Sequence, residues 1–515
     1  MNSDLLTFIS GRIPLGIALP LMAGAFGSFV WWAVWAGTQF WERRQLWNNL
    51  ARIWILACAA YLTAWFLFPP PPIPLRVVVV ETLRDSTDWR TAGVAEMIRD
   101  GLRRTHLPFV LLDEDICPGL KAVPDAASFD RLALTLNIKW QVVVDSVDPD
   151  LVLVTIRKRG SHSYITSATL QRSIQYFRRD GTSLAAEALG VLGEKHPPAI
   201  SNYQPPDCPD SILAIMFAPP GSSDSSAVLC SERLRSLAES HPDWQAAQLL
   251  TAKSLMRLGF DRNRDEILTQ LEEAGRLDVR DPETMTLLGM TFLEFHQWEQ
   301  AESALKLSYN LNPSDPRTLF YLSRLEDRRL VDMPYKSSLR LLERCLYLNP
   351  GYEDARLELS SYYLKHRDKP LARKVLVEGL NLNSQSEPLR QSLAAALIET
   401  GNYEEAVRIC HGILEINPNH APTYYNLGIA YLYLKRYEEA MAALDSSLAR
   451  GGTVNNFYYK GVAYQKMGQW DKAIKEFQRR MASPQTSDDK VAISARERVK
   501  MLRRWIVERD SGKTN

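Results

Sequence analysis

Side chains capable of catalysis or metal binding are spread along the 515-residue chain without a recognisable grouping. The six cysteines include no CxxC pair, so neither a zinc knuckle nor a thioredoxin-type site is indicated. The eight histidines are equally dispersed and form no HExxH motif. The sequence therefore predicts no metal site, no cofactor and no catalytic residues.

Carboxylates at the ends of two predicted strands come nearest to an acid–base pair. Glu81 ends the first of these strands, and Asp113, Glu114 and Asp115 end the second. A glycosidase-type pair would need two carboxyl groups about 5–9 Å apart around a substrate. Nothing in the spacing argues for that arrangement, and solvated strand ends explain these residues more simply. We predict that the protein is not an enzyme.

The charge balance argues against a nucleic-acid partner. The chain has 61 basic and 60 acidic residues, a net charge of +1, so it has no strong overall field. The basic run 157–159 lies at a predicted hairpin tip without interleaved aromatic residues, which makes a nucleic-acid site a poor interpretation. Contact of this run with anionic lipid or cell-wall polymer stays an alternative.

The first 68 residues are far more apolar than the rest and predict a transmembrane hairpin. The two candidate spans are residues 13–41 and about 53–68. A span has to cross a hydrocarbon core of about 30 Å. The loop between them is rich in arginine, which predicts a cytoplasmic loop and periplasmic domains at a bacterial inner membrane. A cleaved signal peptide and lipidation of Cys58 are weaker alternatives, since the start is not basic and only six residues separate Arg52 from Cys58.

A proline-rich spacer, residues 69–74, separates the hairpin from a region that mixes strands and helices. Residues 75–193 read as strand, helix, strand, helix, strand, two antiparallel strands and a last helix at about 182–193. A second proline-rich segment, residues 194–211, has the composition of a linker. This order predicts a small α+β domain.

The same region resembles the amino-terminal domain of TolB and the related module that precedes repeat arrays in some bacterial transmembrane regulators. The resemblance covers residues 75–193 and rests on Asp100–Leu102, in the position of that family's ADGL helix, and on the strand 140–147. Two places depart from the family: Glu81-Thr82 replaces a usual Pro-Phe, and Asp145-Ser146 replaces a Glu-Gly-Ser turn. The resemblance implies an interaction or sensory module without catalytic residues.

A repeat of 33 residues dominates the carboxy-terminal half. Small and large residues recur in register, as in the pairs Gly428 and Gly461, Tyr431 and Tyr464, and Ala440 and Ala473. Two helices per 33–34 residues is the pattern of the tetratricopeptide repeat (TPR), which this region resembles over about 230–487. We expect an all-α TPR solenoid at 212–487, with six to seven units of which the first are degenerate, and a capping helix at 488–510.

The TPR resemblance also implies which residues line the concave wall of the solenoid, because fixed positions of each first helix face it. In the two best-formed units these predicted groove residues are Tyr425, Ile429, Leu432, Tyr433, Tyr458, Val462 and Gln465. An aromatic, mostly apolar groove suits an extended peptide or an amphipathic helix. The alternative is that these tyrosines pack on neighbouring helices.

Together these features predict a membrane-anchored TPR scaffold that binds partner proteins at the inner membrane, in the assembly of an envelope or secretion complex. The partners would bind the concave face, and residues 13–68 would hold the protein in the membrane. The alternative is a transmembrane sensory protein whose α/β module binds a ligand or a partner.

Overall fold

The computed structural model of the chain describes residues 75–81, 89–104, 109–111, 132–133, 135–148, 151–160, 163–173, 177–192, 224–483 and 489–510. They belong to one compact unit, Leu75–Asn515. The predicted spans, residues 13–41 and 53–68, lie outside the described residues. Among the helices described, none combines the length and apolar character needed to cross a membrane.

Five strands and two helices form the amino-terminal part of the unit, called the module below. They are β1 Leu75–Glu81, α1 Trp89–Arg104, β2 Phe109–Leu111, β3 Ile138–Asp148, β4 Leu151–Arg159, β5 Tyr164–Ser173 and α2 Phe177–Leu192. The strand order in the sheet is β2-β1-β3-β4-β5. Strand β1 pairs in parallel with β2 and β3, and β3, β4 and β5 pair in antiparallel order. The predicted small sheet region is confirmed.

Strand β1 is buried on both faces, which explains its continuous run of apolar residues. Val77 and Val79 point to the face covered by α1 and α2, and Val78 belongs to a second buried cluster that continues into the helices farther along the chain. Helices α1 and α2 touch at Gly101, where a Cβ would lie 2.4 Å from Cδ1 of Leu189. The glycine of the Asp100–Leu102 segment is therefore needed for close helix packing.

The remaining described helices form an array of antiparallel pairs. They are α3 Asp224–Ser240, α4 Gln245–Leu277, α5 Pro282–Glu294, α6 Trp298–Leu311, α7 Pro316–Ser323, α8 Ser338–Leu348, α9 Glu353–Lys365, α10 Lys369–Leu382, α11 Glu387–Thr400, α12 Tyr403–Ile416, α13 Ala421–Tyr433, α14 Tyr437–Ala449, α15 Asn455–Lys466, α16 Trp470–Met481 and α17 Lys490–Asp510. Helix α4 bends at Gly259, whose φ is +133°, so its two halves together form the first pair. Six further pairs run from α5/α6 to α15/α16, and α17 packs on the last.

The two helices of a pair approach closely at a small residue of the first helix. A Cβ on Gly289, Gly428 or Gly461 would lie between 2.4 and 2.7 Å from the nearest atom of Leu305, Leu444 or Phe477, respectively. Each of these three large side chains is completely buried. The recurrent small residue of the sequence pattern is thus required by the contact between the helices of a pair.

The loops that join successive pairs repeat the same local hydrogen bond. The side-chain oxygen of an asparagine just after the second helix accepts from the backbone N–H two residues later, which closes an Asx turn. The bond is 3.1 Å at Asn312, 3.0 Å at Asn349, 3.3 Å at Asn383 and 3.2 Å at Asn417. Each turn directs the chain into the first helix of the next pair.

The module packs against α4 and α5 of the array through buried ion pairs. Arg103 of α1 contacts Glu283 of α5 at 2.8 Å, and Lys253 of α4 lies 3.1 Å from the same carboxylate. Burial by itself raises the pKa of the Glu283 carboxyl, but Arg103 and Lys253 outweigh it and hold the pKa at about 2. A buried carboxylate with two cationic neighbours keeps its charge at neutral pH.

A second contact joins β1 to the end of α8. The Arg76 guanidinium is buried and donates hydrogen bonds to the carbonyl oxygens of Leu348 at 2.7 Å, Tyr347 at 2.6 Å and Leu136 at 2.6 Å. Nearby, the side chain of Asn312 donates to the carbonyl oxygen of Arg103 at 3.3 Å. The module therefore contacts the array at the carboxy-terminal end of α8, at the start of α5 and along α4.

We expect Gly428→Ala to destabilise the array by about 1–3 kcal/mol, because the new Cβ would lie 2.6 Å from Cγ of Leu444. Gly412→Ala is the matched control, since nothing lies within 4 Å of a Cβ there, and it should stabilise helix α12 by about 0.5–1 kcal/mol. Urea unfolding of the full-length protein, followed by circular dichroism, measures both. Equal stability of the Gly428→Ala variant and the wild type would contradict the close-packed contact.

Candidate partner-binding groove

An open groove of about 910 Å³ lies on the inner surface of the first four helix pairs. Its lining comes from α4 near the bend and from α5, α7 and α9, the first helices of the next three pairs. The lining residues are Met256, Phe260, Asp261, Leu287, Met290, Glu294, Phe320, Tyr321, Arg324, Asp354, Leu357, Glu358 and Ser361. No residue of the module is among them. We call this surface the groove.

Helical spacing explains why these residues face one way. Leu287, Met290 and Glu294 are three and four residues apart on α5, and so lie on one side of that helix. Asp354, Leu357, Glu358 and Ser361 follow the same spacing on α9. Because the first helices are stacked side by side, their equivalent faces join into one continuous surface.

The floor of the groove is apolar and aromatic. The Phe320 ring is anchored by Tyr352 and Tyr321, with both ring centroids 5.2 Å away. Burial raises the pKa of Tyr321 to about 12, so this phenol stays neutral at physiological pH. Met256 and Met290 add flexible side chains that adjust to the shape of a bound group.

The charged residues of the groove are mostly acidic. Glu294 and Arg324 pair with each other at 2.9 Å. Asp261, Asp354 and Glu358 form no ion pair with any residue that the structure describes. Burial and the adjacent Glu353 raise the pKa of the Asp354 carboxyl, and the attraction of Arg324 opposes them only in part. Four carboxylates thus share the groove with one guanidinium.

The predicted groove residues of α13 pack largely against neighbouring helices. Ile429 and Leu432 are buried. The Tyr425 ring meets Tyr459 of α15 edge-on, with 5.6 Å between centroids, and burial raises the pKa of its phenol. Tyr433 stacks on Tyr403 at 4.9 Å but leaves 54% of its surface exposed.

The predicted groove residues of α15 are covered by the last helix. The Tyr458 hydroxyl lies 3.0 Å from Oγ of Ser494 and accepts a hydrogen bond from Nε of Arg498 at 3.1 Å. Arg498 also donates to the Gln465 side chain at 2.9 Å. Val462 packs in the cluster that joins α15 and α16 to α17. Whether these residues bind a partner stays a prediction.

The spacing rule that selected the predicted groove residues also applies to the earlier pairs. Ile429 and Tyr433 follow Gly428 by one and five residues, and Met290 and Glu294 follow Gly289 at the same distances. Met290 and Glu294 both line the groove. The same spacing rule therefore predicts Met290 and Glu294 as groove residues when it is applied beyond the two best-formed pairs.

No cluster of three or more potential metal ligands occurs within the described part of the chain. The thiols of Cys345 and Cys410 are fully buried, and burial raises the pKa of each, that of Cys410 to about 12. Both are therefore unreactive packing residues. Cys230 is a free, half-buried thiol, and Cys117 and Cys208 lie outside the described residues.

Comparisons with known proteins identify the repeats. Residues 397–453 and 456–479 match two family models described as tetratricopeptide repeat. A tetratricopeptide repeat protein of known structure from Parabacteroides merdae is 16% identical, with 53% of this chain and 98% of that chain covered and a TM-score of 0.36. The chain contains TPR repeats, as the 33-residue period predicted.

Two curated relatives match shorter stretches. The tetratricopeptide repeat-containing protein trd-1 of Caenorhabditis elegans is 28% identical over 174 residues, 33% of this chain and 21% of that protein. The BBSome complex member BBS4 homolog of Drosophila melanogaster is 23% identical over 150 residues, 29% of this chain and 31% of that protein. The chain thus spans less than a third of either relative.

We expect Tyr458→Ala to loosen α17, because it removes the hydroxyl that contacts Ser494 and Arg498 and the ring that packs on Phe477 at 5.6 Å. The free energy of unfolding should fall by about 2–3 kcal/mol, and amide hydrogen exchange in α17 should become faster. Tyr433→Ala, at a more exposed ring, is the control and should leave that exchange unchanged. Unchanged exchange after Tyr458→Ala, together with weaker partner capture, would instead place Tyr458 in a binding surface.

Proposed function

We propose that this protein is a membrane-anchored scaffold that binds a segment of a partner polypeptide in the groove. The observation that carries the proposal is the groove itself: about 910 Å³ of open space with an apolar, aromatic floor on a stacked helical array. TPR arrays are protein-interaction folds, and an inner surface of this kind receives helices or extended peptides.

The dimensions and lining favour a polypeptide over a small molecule. Small-molecule sites measure about 300–1,000 Å³ and enclose most of their ligand. This groove is at the upper end of that range, is open to solvent, and presents side chains of four helices in succession. A surface of that extent meets several side chains of one segment at once.

The rest of the unit holds the groove rigid and accessible. The module contacts the array through Arg76 at the end of α8 and Arg103 at the start of α5, and none of the residues that line the groove belongs to the module. Rigid elements reduce the entropy lost when a partner binds. The module's resemblance to the TolB amino-terminal domain supports a second, non-catalytic interaction surface on the same scaffold.

Anchoring completes the proposal. Residues 13–41 and 53–68 would hold the scaffold at a bacterial inner membrane, with the module and the array in the periplasm. A tethered scaffold raises the effective concentration of a bound partner near the membrane without any chemical step. Assembly of an envelope or secretion complex is a process that would use this arrangement.

Site-specific photo-crosslinking tests the groove. A photoreactive phenylalanine analogue in place of Met290 or Leu357 should crosslink a partner protein in intact cells, because both residues line the groove. The same analogue in place of Val377, which is 38% exposed on α10, is the control and should not give that product. Identical products from all three positions would refute groove binding.

A reporter fused after Asn515 tests the anchor. Alkaline phosphatase, which is active in the periplasm, should be active in the fusion and should sediment with membranes. Deletion of residues 13–68 should abolish both the activity and the sedimentation. If the fusion were active only with a reporter that works in the cytoplasm, the predicted topology would be wrong.

A further inference from the structure

We propose that the segment that enters the groove is basic, and that it places an arginine or lysine side chain among the aromatic rings and carboxylates, between apolar residues that contact the floor. The inference rests on the proposed function, since it specifies the chemistry of the partner that the groove binds. Charge complementarity is the observation that favours it.

The carboxylates of the groove come from three helices and surround the apolar floor. Asp261 lies just after the bend of α4, Glu294 ends α5, and Asp354 and Glu358 lie one turn apart on α9. Asp354 and Glu358 carry the same charge at i and i+4, which weakens the free helix slightly. A bound cation between them would relieve this repulsion.

The one basic residue of the groove does not balance this charge. Arg324 pairs with Glu294 at 2.9 Å and also attracts Asp354. With four carboxylates and one guanidinium among the residues that line it, the groove keeps a net negative charge. An acidic segment would bring like charges together there, so the groove discriminates against it.

The aromatic residues of the floor add a second means of recognising a cation. Phe260, Phe320 and Tyr321 line the same space as the carboxylates. The chain itself repeatedly places arginine over aromatic rings, as in Arg264 over Phe295 at 4.3 Å and Arg450 over Tyr424 at 4.4 Å. Guanidinium groups combine such stacking with hydrogen bonds to carboxylates.

Two synthetic helical peptides test the proposal. Both are about 20 residues long with leucine at the same amphipathic positions, and their polar positions are all lysine in one peptide and all glutamate in the other. Fluorescence anisotropy with the full-length protein should show binding of the lysine peptide at least about tenfold tighter than binding of the glutamate peptide. The preference should shrink as salt is added, because exposed charges are screened.

A charge-reversal variant locates the preference. Asp354→Lys with Glu358→Lys should reverse the order of the two peptides. Glu404→Lys with Glu415→Lys changes the net charge equally on exposed residues of α12, outside the groove, and should keep the wild-type order. Circular dichroism checks that both double variants fold.

The outcomes separate this inference from the function on which it rests. Four results would each overturn the proposal of a basic partner. They are equal affinity for the two peptides, tighter binding of the glutamate peptide, binding of neither peptide, and reversal of the order by the α12 variant as well. If crosslinking from Met290 persists in that event, the groove still binds a polypeptide of other chemistry. If that crosslinking is also absent, the proposed function itself fails.

Discussion

The architecture depends on one repeated constraint, the contact between the two helices of a pair at a small residue. At Gly289, Gly428 and Gly461 there is no room for a Cβ, since the large side chain of the second helix occupies that space. The contact fixes the distance and rotation of the two helices, and stacking of equivalent pairs then turns all first helices to the same inner surface. The groove is a consequence of this packing, because its residues occupy the free side of those first helices.

The contact between the module and the array is of a different kind. Arg103, Glu283 and Lys253 form ion pairs in a nearly dry environment, where the cost of removing charges from water offsets most of their attraction. Such a network adds little net stability, but an alternative docking of the module would leave buried charges unpaired. We infer that the network specifies a single arrangement, in which α1 packs on α4 and α5 and no module residue lines the groove.

The sequence predicted the repeat period, the helix pairs and the small sheet because each of them follows from a local pattern of residues. It did not single out the groove, since the equivalent small residues in three of the first four pairs are Ala252, Ser323 and Ser360 instead of glycine, which weakens the register. The contacts of the module were beyond any local pattern. Arg76 and Leu348, for example, are hydrogen-bonded across 272 residues, and nothing in either segment marks the other.

The two ends of the array differ in what occupies their inner surface. In the last pairs, aromatic residues fill it by packing on each other, as Tyr403 does on Tyr433 and Tyr425 on Tyr459, and α17 covers the final pair through Arg498. In the first four pairs, Phe260, Phe320 and Tyr321 share the inner surface with methionine, leucine and carboxylate side chains, and the space in front of them is open. An open apolar and aromatic surface beside an excess of negative charge has the features that a bound partner would complete. The open surface therefore lies at the end of the array that also carries the module.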